Sequence, residues 1–209
     1  MIPVSAALLQ SALMNLDELR EAIASGDPGR ARPALARLVD VPADQAEPLL
    51  LLGLQQSDLL MRQLSCSGLG HKPTPAGWEP LVQALQHDEE VGVRAEAANA
   101  LVSHGLERAW PLLLEAFRSD HEWLLRCSVL SAVAEHPEIS GAQLLELSQL
   151  AIADPDGTVR VGGAEILSRV VREAQPGSEL AQASRSALLA LQQDSDHRVV
   201  AAALNGLQG

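Results

Sequence analysis

The chain has 209 residues and a net charge of -12, with 27 acidic against 15 basic side chains. Such a surface repels phosphate backbones, which argues against nucleic acid as a general ligand. Apolar residues make up 47% of the chain but aromatics only 2%, so the core must be built from Leu, Ala and Val, a composition suited to closely packed helices.

Taken in chain order, helical periodicity dominates and strand patterns are nearly absent. The spacing predicts about twelve helices, over 5–24, 30–39, 43–55, 58–69, 77–87, 91–104, 108–118, 122–135, 140–153, 157–173, 178–192 and 196–207. Arg20, Arg30, Arg32 and Arg37 lie near the start among Asp17, Glu18, Glu21, Asp27 and Asp40, and read as a solvated mixed surface. The longest apolar stretches, such as Leu49 to Leu54, are too short to span a bilayer, and Met1-Ile2-Pro3-Val4 lacks a secretory leader's basic start. With two cysteines and no disulfide framework, a soluble cytoplasmic protein with reduced thiols is expected.

An aspartate and an arginine six residues apart recur along the chain: Asp88 and Arg94, Asp120 and Arg126, Asp154 and Arg160. The arginines step by 32 and then 34, and a step of 32 back from Arg94 reaches Arg62, where Gln56 holds the aspartate position and Asp58 lies nearby. A repeat of this period signals stacked units rather than a closed globule. Within each unit one apolar stripe (Trp78, Leu81, Val82, Leu85) is followed by a turn and a second stripe (Val93, Ala97, Ala98, Leu101). Trp110 falls 32 residues after Trp78 and is expected in the core with it, and Gly105 and Pro137 mark helix ends. The expected fold is all-α, a right-handed α-α superhelix of about five to six helical hairpins. It forms a single solenoid over 1–209: a degenerate N-terminal cap at 1–42, regular repeats at 43–193 and a C-terminal cap at 194–209. In the last unit Val200 stands where an arginine is expected.

In this arrangement the aspartate should open the second helix and complement its dipole, with the arginine about one and a half turns in. Arg62, Arg94, Arg126 and Arg160 are then expected to form a structural ladder with Asp88, Asp120 and Asp154 of their own or neighbouring units. Register from the arginines places Cys66 in the core and Cys127 nearer the inner surface; a reactive thiol would need exposure and a depressed pKa. His104 and His136 fall near helix ends, where the dipole favours imidazolium. Equivalent histidines one repeat apart, roughly 10 Å, are too distant to share a metal. No catalytic constellation and no phosphate-cradling loop appear in the sequence, which leans away from an enzyme.

The inner face of the second helices reads Leu64, Glu96, Ser128 and Gly162, then Ser67, Asn99, Ser131 and Glu165, then His71, Ser103, Glu135 and Arg169. These positions form either an ordinary solvated face or an open groove for a helix or loop of another protein. A second row, Leu59, Val91 and Trp123, sits in the first turn of successive second helices. It either packs on adjacent first helices or contacts a partner. The candidate protein-binding residues are therefore Leu59, Glu96, Asn99, Trp123, Ser128, Ser131, Glu165 and Arg169.

The segments Asp88-Glu89-Glu90-Val91-Gly92-Val93-Arg94-Ala95-Glu96-Ala97-Ala98-Asn99-Ala100-Leu101 and Asp154-Pro155-Asp156-Gly157-Thr158-Val159-Arg160 resemble HEAT repeats. Their short, Ala-rich form is similar to the repeats of phycobilin-lyase-like proteins of cyanobacteria. The resemblance covers 43–209 and is weaker over 1–42. It implies a non-catalytic protein-interaction scaffold or chaperone-like adaptor, using the concave face, with a client related to phycobiliproteins and the phycobilisome. It also implies an alternative, a subunit of a phycobilin lyase or isomerase that attaches bilin to such a client. No cofactor is expected under the first reading, and bilin under the second; neither implies nucleic acid or membrane insertion.

Overall fold

In the computed structural model, residues 16–134 and 136–208 are described, and all of their regular structure is helical. The expected start of the first helix at residue 5, the inner-face position Glu135 and the chain end at Gly209 lie outside the described residues.

Six helical hairpins stack in chain order among the described residues. The first helices are α1 (Leu16–Ala24), α3 (Ala43–Leu54), α5 (Trp78–His87), α7 (Leu106–Ser119), α9 (Gly141–Ala151) and α11 (Glu179–Leu191). The second helices are α2 (Pro28–Arg37), α4 (Leu59–His71), α6 (Val91–Ser103), α8 (Trp123–Ala134), α10 (Gly157–Glu173) and α12 (His197–Gln208). The fold is an α-α solenoid, as the repeat spacing predicts. Residues 16–37 form a hairpin, α1 and α2, that packs onto α3 and α4.

Local chemistry sets many of the helix starts. Asp27, Asp58, Asp156 and Ser178 each accept a hydrogen bond from an amide of the first turn they precede, and Ser140 forms a capping box with Gln143. Gly105, between α6 and α7, has φ +125°, a backbone region that L side chains rarely adopt.

Leucine, valine and alanine fill a core that runs from Leu19 through Val170 along the stack, with a second cluster around Ala164, Leu188 and Val199 at the far end. Trp78 is buried, but Trp110 is only half-buried, which corrects its placement in the core. Trp78 opens α5, whereas Trp110 lies one turn into the longer α7. Ala109, Leu113 and Leu114 take the buried stripe there.

Second helices pack more closely on their counterparts in adjacent hairpins than first helices do, so their column forms the inner side of the curve. Small residues permit this approach. A Cβ at Gly70 would lie 2.9 Å from the Cα of Ala100, and one at Gly162 would lie 2.9 Å from Cδ1 of Leu130.

Candidate functional site: the inner cleft and the turn rim

The recurrent charges come first, because they position everything else. Arg62 donates from Nε and Nη2 to both carboxylate oxygens of Asp88, at 2.8 and 3.0 Å. Arg94 does the same to Asp120, Arg126 to Asp154 and Arg160 to Asp194. Each of these carboxylates belongs to the following unit. The remaining nitrogen, Nη1, turns back to the arginine's own unit and donates to the carbonyl six residues earlier: Gln56, Asp88, Asp120 and Asp154 respectively. One aspartate thus serves two arginines, its carbonyl the one in its own hairpin and its carboxylate the one before. The fork of guanidinium donors matches this geometry where a lysine would not.

Two details differ from the sequence expectation. The aspartate does not open the second helix; it sits three residues before it and its carboxylate accepts the amide two residues on, as Asp88 does from Glu90 and Asp120 from Glu122. The arginine is consequently the fourth helical residue rather than one and a half turns in. A further rung is present, because Arg32 is not simply solvated: it donates from Nε and Nη2 to Asp58 at 3.0 and 2.5 Å. Gln56 has no carboxylate at the usual place, and Asp58, two residues later, both caps α4 and receives Arg32. At the other end Val200 occupies the arginine position of α12, and Arg198 instead pairs with Asp196 of its own turn.

These contacts move the carboxyl pKa values. The hydrogen bonds from Arg32 and Arg160 hold Asp58 and Asp194 below the ordinary carboxylate value. Burial pushes Asp120 upward, but the Arg94 hydrogen bond and the Glu122 amide outweigh it and leave its pKa lowered.

The inner column carries an open cleft of about 630 Å³ between α8, α10 and α12. Ser131, Gly162, Glu165, Arg169, Ala202 and Asn205 are among the residues that line it. Three of the sequence candidates, Ser131, Glu165 and Arg169, meet here. Arg169 is not a free cation: it donates to the Ala134 carbonyl at the end of α8 and pairs with Glu173 at 2.8 Å. Glu96 and Asn99 lie elsewhere, in a smaller hollow of about 190 Å³ shared with Ser67, His71 and Ser103 between α4 and α6. Ser128 is half-buried on α8 and lines neither. Leu59 and Trp123 are at the turn rim, 39% and 46% exposed, with Val91 half-buried between them.

The sequence reading missed the α12 wall of the cleft, though a signal was there. Two and five residues after Val200 come Ala202 and Asn205, the same offsets that pick out Gly162 and Glu165 after Arg160.

Neither thiol is poised as a nucleophile. Cys66 is fully buried, and burial, with Glu96 and Asp88 adding, pushes its pKa up to about 12. Cys127 lines the cleft, but partial burial and the carboxylates of Asp156 and Asp154 raise its pKa too. His104 departs from the dipole expectation. Burial lowers its pKa, Arg108 adds to the effect, and its Nε2 lies 3.1 Å from the Leu69 carbonyl. Among the described residues no cluster of His, Cys, Asp or Glu has the geometry to hold a metal ion, and no helix is long and apolar enough to cross a membrane.

Comparison with known proteins agrees with this geometry. No curated protein sequence matches the chain. Among solved structures, the crystal structure of YibA from Escherichia coli is similar, with a TM-score of 0.64 at 18% identity, covering 99% of this chain and 75% of that one. Residues 46–134, from α3 through α8, match the family model described as HEAT repeats. The chain is thus an α-solenoid, and residues 46–134 are similar to HEAT repeats.

Proposed function

We propose that the chain is a non-catalytic protein-interaction scaffold that seats a segment of another protein in the inner cleft between α8, α10 and α12. The observation that carries this reading is the cleft itself, open and lined by small and polar side chains such as Ser131, Gly162 and Ala202. Backbone of a partner can approach such a wall closely, and Glu165 and Asn205 offer directional hydrogen bonds. Repeat solenoids use extended inner surfaces of this kind for binding. Burial raises the pKa of both thiols, so neither offers a ready nucleophile to the cleft.

The reading is tested with the Ser131→Trp variant. Ser131 is exposed on the cleft wall, so an indole there fills the cleft without disturbing the core. Affinity capture with the wild-type protein should recover a partner that Ser131→Trp loses by about tenfold or more. Recovery of the same partners by both, with circular dichroism unchanged, overturns it.

The finer proposal, a phycobiliprotein-related client in the cytoplasm, rests on the repeat-motif resemblance alone. Co-expression with a bilin and an apo-phycobiliprotein separates it from the lyase alternative. Covalent visible absorbance is expected only if this chain attaches the pigment.

A further inference from the structure

The rim that carries Trp123 holds more exposed apolar surface than that one side chain. Leu59 and Leu60 open α4, Trp123 and Leu124 open α8, and the four are 39%, 41%, 46% and 38% exposed. Between them α6 opens with Val91 and Gly92, both half-buried. The Gln63 side chain lies over Gly92, where a Cβ would collide with it, so the apolar surface is interrupted there. The outline is two apolar knobs flanking a gap. With neighbouring helices about 10 Å apart, the knobs stand about 20 Å from each other.

The charge on this rim has one sign. Glu89 has an 84% exposed side chain, held at the edge of ion-pair distance, 3.9 Å, from Arg62. Glu90 and Glu122, which precede α6 and α8, are exposed, and among the described residues neither is in an ion pair. The arginines of these turns offset them only in part: Arg62 attracts Glu89 and Glu90 from a distance, but Arg62, Arg94 and Arg126 spend all three nitrogens on ladder carboxylates and turn carbonyls. Arg118, at the end of α7, is paired with Glu146. An acidic partner would be repelled from such a rim, and an uncharged one would leave its carboxylates without compensation.

We infer that this rim docks a basic amphipathic helix of a partner protein. Its apolar side chains cover the Leu59–Leu60 and Trp123–Leu124 knobs, and its lysines or arginines meet Glu89, Glu90 and Glu122. An interval of about 20 Å is about 13 to 14 residues of helix, and side chains 14 apart, just under four turns, return to nearly the same face. A cation over the exposed Trp123 indole adds a cation–π contact. The inference rests on the reading of the chain as an interaction scaffold, but on a surface separate from the inner cleft.

Three synthetic peptides test it: a Lys/Leu sequence with leucines on one helical face, the same composition scrambled to abolish that face, and the Glu/Leu counterpart of the first. Binding is read by anisotropy of labelled peptide and by tryptophan emission. The first peptide should bind, shift the emission and weaken with added salt; the other two should bind at least about tenfold less well. Trp123→Ala should abolish the emission shift and weaken binding about tenfold, and the Glu90→Gln/Glu122→Gln pair should weaken it to a similar extent. Equal binding of the scrambled peptide would show a general attraction to an acidic protein and overturn the inference, as would equal binding of the Glu/Leu peptide or wild-type affinity in Trp123→Ala. Ser131→Trp separates the two surfaces: it should leave peptide binding unchanged. If all peptides fail while Ser131→Trp still abolishes partner capture, the rim inference falls and the scaffold reading stands.

Discussion

Arg126–Asp154 and Arg32–Asp58 make the same two-pronged contact in different surroundings. The interior pair is nearly out of water, with side chains 9% and 6% exposed, whereas the N-terminal pair keeps 39% and 19%. Solvent screens the exposed pair, and holding two long side chains in one geometry offsets most of its attraction. The interior pair interacts more strongly but has lost more hydration, so the intact pair differs little in energy from two apolar residues while either half alone is costly. One motif therefore has two energetic characters, and what the rungs share is register: each carboxylate fits the arginine one hairpin back.

The largest effect should come from breaking the interior rung on one side. Asp154→Ala leaves a buried guanidinium with only the Asp120 carbonyl for company, and should cost about 3–5 kcal/mol by urea denaturation. The double variant Arg126→Met/Asp154→Leu should recover most of that loss. If the double variant is as unstable as the single one, the hydrogen bonds of these residues to the Asp120 carbonyl and the Asp156 amide, and not the unpaired charge, dominate.

An intermediate effect should appear on acidification. Asp58, Asp120 and Asp194 have folded-state pKa values below the ordinary 3.8, so each binds a proton more weakly folded than unfolded. Their contribution is fully present above the unfolded value and is lost as the pH falls below 3.8 and through the lower folded value. Denaturation midpoints should decline slightly below pH 6.5, because His104, whose pKa burial lowers, binds its proton more weakly folded than unfolded, and should fall steeply only under these strongly acidic conditions. Asp120→Asn should lower the plateau and flatten the acid limb; a main drop near pH 6 would put the larger share on His104 instead.

How much of this was legible in the residues follows from the same comparison. The Arg94, Arg126 and Arg160 rungs lie where the spacing puts them, because helix and turn lengths fix where side chains six residues apart can point. The Arg32 rung was hidden: six residues before it stands Gly26, and its acceptor had moved from position 56 to Asp58. Arg32 also sits among exposed charges of both signs, so composition pointed the wrong way. The inner column was legible by register as far as Arg169. Whether an inner side chain is free was not, since Arg169 finds its partners at Ala134, in the preceding second helix, and at Glu173. Division of that column into a wide cleft and a small hollow depends on how far neighbouring helices separate, which no single repeat encodes.

The smallest effect sharpens the contrast at its exposed end. Arg32→Gln removes the guanidinium but leaves Asp58 both solvated and bound to the Met61 amide, so no buried charge is stranded. The thermal midpoint of this variant should stay within the scatter of repeat measurements. Asp58→Ala, at the same rung, should lower it visibly, because the cap of α4 is lost with the pair. The two substitutions thus separate the carboxylate's duty to its own helix from its duty to the neighbouring hairpin. Equal losses from both would mean that the pairing itself stabilises this end, and that solvent screens it far less than its exposure implies.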